Sequence, residues 1–139
     1  MPKKILIIDD EEDLLKLISE HFRSSGWETL TVENGMVALL QVSLFNPDVI
    51  LSDIMMPEKD GLQFLEALYL AGNDVPLVFL TAFRDVDKMK RAWGLGAFDF
   101  LDKPVDLNAV LRVAENAFNF GREYVVSARK RYLTLKKMA

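Results

Sequence analysis

Five short apolar runs punctuate the chain, at residues 5–8, 27–32, 49–53, 76–81 and 97–101. Each is short and bounded by turn residues, so each reads as a strand. The run at 27–32 alternates and is β-branched, which predicts an edge strand. The run at 49–53 leads through apolar or small residues to Asp53, with Pro47-Asp48 before it and Pro57 after it, which predicts a strand buried on both faces. Helical spacing fills the gaps, at 11–24, 34–45, 61–71 and 84–93, and a last helix starts near Asp106. In the first helix Leu14, Ile18, His21 and Phe22 share one side, and acids occupy the first turn, where the helix dipole favours them. Glycines stop the helices at Gly26, Gly72, Gly94 and Gly96. Five strand-then-helix units in succession predict an α/β fold, a parallel sheet with helices on both faces and right-handed crossovers.

Polar residues of chemical interest fall where such a sheet collects its chemistry. Asp9 and Asp10 follow the first strand, Asp53 ends the third, Thr81 ends the fourth and Lys103 follows the fifth. In open α/β sheets the carboxyl edge is the ligand-binding edge. Taken singly, each residue has a plain explanation: Asp9-Asp10 and Thr81 as helix caps, Asp53 as a turn residue, Lys103-Pro104 as loop. Their coincidence at successive strand ends favours one cleft. Several carboxylates there repel one another unless a cation joins them. Mg²⁺ takes hard oxygen ligands, so Asp10 and Asp53 with a backbone carbonyl suit it. Lys103 adds a compact positive charge and Thr81 a hydroxyl donor. Together they make a receptor for a phosphoryl group on Asp53, which serves as nucleophile.

Composition narrows the class. At 139 residues, half of them hydrophobic, the chain suffices for one domain with a real core. It has no cysteine, hence no disulfide framework and no thiolate metal site. No apolar stretch approaches the roughly 18–20 residues of a membrane helix, and the start is too short and too quickly acidic for a signal peptide. A cytoplasmic protein is expected. The net charge of −4 is uneven: residues 121–139 carry about +5 and the rest about −9. The acidic body argues against a nucleic-acid surface.

The motifs 7–11 (Ile-Ile-Asp-Asp-Glu), 52–57 with Asp60-Gly61, 80–82 (Leu-Thr-Ala) and 96–104 (ending Asp102-Lys103-Pro104) closely resemble the receiver domain of two-component response regulators. The resemblance covers residues 3 to about 120. It implies a flavodoxin-like, doubly wound five-stranded sheet in the order 2-1-3-4-5. It implies that Asp53 accepts a phosphoryl group from a sensor histidine kinase or phosphotransfer protein. Asp9, Asp10 and Asp53 would arrange Mg²⁺ together with the Met55 carbonyl, and Thr81 and Lys103 would bind the phosphoryl oxygens. Activity would be regulatory, limited to the domain's own phosphorylation and dephosphorylation. Thr81 and Phe100, the latter standing where tyrosine is common, would form the switch. The output surface would lie on the fourth helix, fifth strand and fifth helix, with Lys88, Arg91, Phe98, Phe100 and Arg112 as candidates. Met55 and Phe83, two residues beyond Asp53 and Thr81, are large and apolar and are expected to shield the acyl phosphate. His21 is expected to be structural, and Trp27 and Trp93 to pack, with Trp93 placed to report on the fourth helix.

Beyond the receiver, taken as residues 1–120, residues 121–139 read as a helical extension. A seam through Leu107, Leu111, Ala114, Phe118, Gly121, Val125, Ala128, Tyr132 and Leu135 alternates steps of 4 and 3, the spacing of a coiled coil. It predicts a projecting helix that pairs with a second copy or leads to an output module. A homodimer through the output surface or through this helix is expected. Two other classes remain in view: a receiver-like interaction module without phosphorylation, and a phosphatase of the haloacid dehalogenase type. The latter places Asp-x-Asp after the first strand, where this chain reads Asp9-Asp10-Glu11.

Overall fold

The computed structural model describes residues 1–56 and 59–138; Pro57, which closes the central apolar run, lies outside them. Among the described residues, strands and helices alternate as β1 (Lys4–Ile8), α1 (Glu12–Ser24), β2 (Glu28–Val32), α2 (Gly35–Phe45), β3 (Val49–Asp53), α3 (Gly61–Leu70), β4 (Leu77–Thr81), α4 (Val86–Gly94), β5 (Asp99–Asp102) and α5 (Leu107–Met138). The sheet is parallel with the order β2-β1-β3-β4-β5, so β2 is an edge as its alternation predicts.

Side-chain alternation along the central strands divides the core between two faces. Leu6, Ile8, Ile50, Leu77 and Phe79 face a layer made by α2, α3 and α4, with Phe64, Leu65 and Leu68 of α3 among the contacts. Ile5, Ile7, Val49, Leu51, Val78 and Leu80 face α1 and α5, meeting Leu15, Ile18, Phe22, Val110, Ala114 and Ala117. Each fully buried side chain of this size contributes about 1.5–3 kcal/mol. The first helix turns Leu15 into the core in addition to Ile18 and Phe22, while Leu14 and the single histidine, His21, are only half-buried.

Local chemistry sets the helix starts. Asn34, Asp85 and Asp106 accept from backbone N–H groups in the first turns of α2, α4 and α5, and Asp60 forms a reciprocal box with Gln63 at α3. The cap at Asp85 starts α4 at Val86, two residues later than its spacing predicts. The fifth strand also starts two residues late. Gly96 adopts a positive φ of 96° after α4, and the Ala97 N–H is spent on the Ala92 carbonyl in closing that helix.

The last helix departs most from expectation. It runs unbroken through position 121 to Met138. Its buried residues are Val110, Ala114, Ala117, Gly121, Val125 and Ala128, whereas Phe118 and Leu135 of the predicted seam are exposed. Residues 121–132 do not project: they pack on their own domain, with Gly121 against Pro76, Val125 against Gly96, and Tyr132 against Gly94 and Tyr69. Small residues along this stripe, Gly121 among them, are what allow α5 this close approach. Tyr132 is followed only by exposed residues up to Met138.

Candidate functional site

Strand register carries the candidate residues to one edge. Ile8 pairs with Ser52, Asp53 with Leu80 and Thr81 with Asp102, so the loops after β1, β3, β4 and β5 open side by side. Asp9 is fully buried and Asp53 is only 6 % exposed, while Asp10 is open to solvent. Asp9, Asp10, Glu11 and Asp53 each offer a carboxylate oxygen within 4.8 Å of the others.

Lys103 ties this group together. Its Nζ lies 2.9 Å from Asp9 Oδ2 and donates to Glu11 Oε1 at 2.9 Å and to Asp53 Oδ2 at 3.1 Å. Burial alone would lower the lysine pKa, but Asp9, Glu11 and Asp53 outweigh it and hold the ammonium well above its ordinary value. Asp53 moves the other way to an ordinary carboxylate. Burial pushes its pKa up and Asp9 adds repulsion, against which Lys103 and the Met55 N–H (3.2 Å from Oδ1) act only in part. Four carboxylates around one ammonium leave an uncompensated negative charge. That imbalance, and an all-oxygen donor set, fit a hard divalent cation.

Two side chains have a double duty. Asp9 Oδ1 accepts from the Glu11 N–H at 2.9 Å, shaping the turn into α1, while its Oδ2 faces Lys103. Thr81 does not cap α4. Its Oγ1 donates to the Phe83 carbonyl at 2.6 Å and accepts from the Phe83 N–H at 3.1 Å, closing a tight turn over Ala82. Met55 and Phe83 flank the site but stand 56 % and 75 % exposed, so little of either covers Asp53 in this state. Lys88 of α4 reaches the Met55 Sδ at 3.3 Å.

Among the output-surface candidates, Lys88 and Phe98 are half-buried, and Arg91 and Arg112 are exposed. Arg91 pairs with Glu66, and Phe98 meets Tyr124 edge to face at 5.5 Å. Phe100 is not on the surface. It is 5 % exposed, stacks on Phe79 at 5.4 Å and takes the edge of Trp93 at 4.9 Å. The strand alternation that places its neighbour Leu101 toward α5 turns Phe100 toward α4. Two residues escaped sequence reasoning. Glu11 was readable only as part of a motif, yet it holds Lys103. Arg84 grips Asp102 with two hydrogen bonds of 2.8 and 3.2 Å beside the site, a pairing that no spacing rule announces.

Residues 5–115 match the family model described as response regulator receiver domain. The chain belongs to that family. Among similar proteins, regulatory protein AtoC of Escherichia coli strain K12 is 36 % identical over 114 residues, which cover 82 % of this chain and 25 % of AtoC. Sporulation initiation phosphotransferase F of Bacillus subtilis strain 168 is 31 % identical over 110 residues, covering 79 % of this chain and 89 % of the relative. A crystal structure of a receiver domain protein from Clostridium thermocellum superposes with a TM-score of 0.78 at 30 % identity, covering 84 % of this chain and 94 % of the other. The chain thus spans about a quarter of AtoC's length and most of the sporulation protein's. As a receiver, it is a regulatory domain of two-component phosphorelay signalling. Among the described residues, no helix of this receiver is long and apolar enough to cross a membrane.

Proposed function

We propose that Asp53 is the phosphoacceptor of this receiver. The observation that supports it most is the Lys103 ammonium bridging Asp53 to Asp9 and Glu11 at the carboxyl edge of the sheet. An Asp53 oxygen attacks the phosphorus of a phosphohistidine on a histidine kinase or phosphotransfer protein. The P–N bond breaks, the imidazole nitrogen takes up a proton, and an acyl phosphate remains on Asp53. Lys103 stays in contact through the exchange and balances the added charge. Thr81, once released from Phe83, supplies a hydroxyl to a phosphoryl oxygen. Asp9, Asp10 and Asp53, with the Met55 carbonyl, would hold Mg²⁺, which supplies charge neutralisation to the transferring group. The catalysis is the domain's own phosphorylation and dephosphorylation, and the phosphorylated form signals through α4, β5 and α5.

Intact mass after incubation with Mg²⁺ and acetyl phosphate tests this reading. One phosphoryl mass on the native chain, absent from Asp53→Asn, is expected. No gain with acetyl phosphate, and no adduct with beryllofluoride, would sink it and leave a receiver-like interaction module.

A further inference from the structure

The helix α4 is lightly held. Of its nine residues only Ala92 is fully buried, and its first turn follows directly from the Thr81–Phe83 turn. Its far end is gripped by the last helix. The Tyr132 ring fills the space over Gly94 that a Cβ would need, and it meets Tyr69 of α3 edge to face at 6.3 Å. Arg129 donates from Nε to the Leu95 carbonyl at 3.0 Å and from Nη1 to the Asn73 carbonyl. Those carbonyls lie just past the ends of α4 and α3, where a cation meets the negative end of each helix dipole. Between the two ends runs an aromatic series: Phe79 on Phe100, Phe100 on Trp93, and Trp93 beside Gly94.

We propose that residues 121–132 of α5 are an internal latch on α4, and that phosphorylation of Asp53 releases it. This rests on the reading of Asp53 as phosphoacceptor. A phosphoryl group on Asp53 calls for donors, and the Thr81 hydroxyl, at the end of the adjacent strand, must leave the Phe83 carbonyl to serve it. Freeing that turn loosens the start of α4. A short helix with a single fully buried residue then moves as a unit, and its Gly94–Gly96 end cannot shift without parting from Tyr132, Arg129 and Val125. Most helical stability in a protein comes from tertiary packing, so a released segment at the C-terminal end of α5 frays from that end. The coupling is reciprocal: a chain whose latch is already open takes the phosphoryl group more readily.

Hydrogen exchange of residues 121–135, read by mass spectrometry on the full chain, tests the latch. The native chain is expected to exchange slowly there, and about tenfold faster or more after acetyl phosphate and Mg²⁺. Gly94→Ala, whose new methyl displaces the Tyr132 ring, is expected to exchange fast with no donor present. Tyr132→Ala is expected to do the same, and Tyr132→Phe, which keeps the ring, to remain slow. Slow exchange in both Gly94→Ala and Tyr132→Ala would overturn the latch. Slow exchange in a chain whose intact mass shows the phosphoryl group would overturn phosphorylation as its release. A chain that gains no phosphoryl mass and forms no beryllofluoride adduct would overturn the Asp53 reading and, with it, this trigger, while the two variants still decide whether the latch exists.

Discussion

Lys103 Nζ donates to Asp53 Oδ2 at 3.1 Å across 50 residues of sequence. The lysine is the one cation among the described residues within reach of Asp9, Glu11 and Asp53 together. Removing one partner of a buried ionic group strands the others. Lys103→Met is expected to cost ~3 kcal/mol at pH 7 in EDTA, by urea denaturation. The deficit should shrink as the pH falls through the carboxylate range and the stranded acids become neutral. A deficit independent of pH would mean that Lys103 acts by packing alone.

Asp53 gives a prediction of the opposite sign. Its folded-state pKa lies above the ordinary 3.8, because burial and Asp9 penalise the charge. The native state is therefore relatively favoured below the unfolded pKa, and that advantage is lost as the pH rises through the folded one. Asp53→Asn should melt higher than the native chain at pH 7 without metal, and the gap should close as the pH falls toward 3.8. Lys103 keeps Asp9 and Glu11 in this variant. A lower melting temperature for Asp53→Asn at pH 7 would show that the ion pair with Lys103 outweighs burial.

Divalent metal should act on the same imbalance. Mg²⁺ at about 100 times its Kd is expected to stabilise the chain by ~2.7 kcal/mol, reversibly with EDTA. Asp10 is exposed, so Asp10→Asn should leave the metal-free melting temperature nearly unchanged while weakening the metal response. Equal responses in Asp10→Asn and the native chain would remove Asp10 from the ligand set.

Thr81 and Trp93 can be followed separately. Trp27 is buried and donates to Glu115 at 3.1 Å, so Trp27→Phe leaves Trp93, edge-on to Phe100, as the reporter. Phosphorylation should change Trp93 emission in that background. Adding Thr81→Ala should preserve the phosphoryl mass but reduce the emission change, since the hydroxyl that links Asp53 to the α4 turn is gone. An undiminished change would place the link elsewhere.

Met55 and Phe83 are expected to prolong the acyl phosphate, yet both stand open to solvent before phosphorylation. Shielding therefore requires them to close over the product. The Met55→Ala, Phe83→Ala double variant should hydrolyse faster than the native chain, by the decay of phosphoryl mass. Equal decay would assign the lifetime to the buried carboxylates instead.

Much of this protein is legible along the chain. Strand and helix alternation, the start of the last helix near Asp106, and the placing of Asp9, Asp53, Thr81 and Lys103 at strand ends follow from local chemistry, which needs only near neighbours. What tertiary structure decided depends on contacts between distant segments. Glu11 becomes a partner of Lys103 because β1 and β5 open onto one edge, and Phe100 turns inward because Phe79 and Trp93 flank it. The seam of α5 shows the limit most plainly. Its spacing in sequence reports an apolar stripe but not what covers it: Gly121, Val125 and Tyr132 are covered by Pro76, Gly96 and Gly94 of their own domain, while Phe118 and Leu135 stay exposed. A helical stripe is satisfied by any apolar surface within reach, and only the fold determines which surface is nearest.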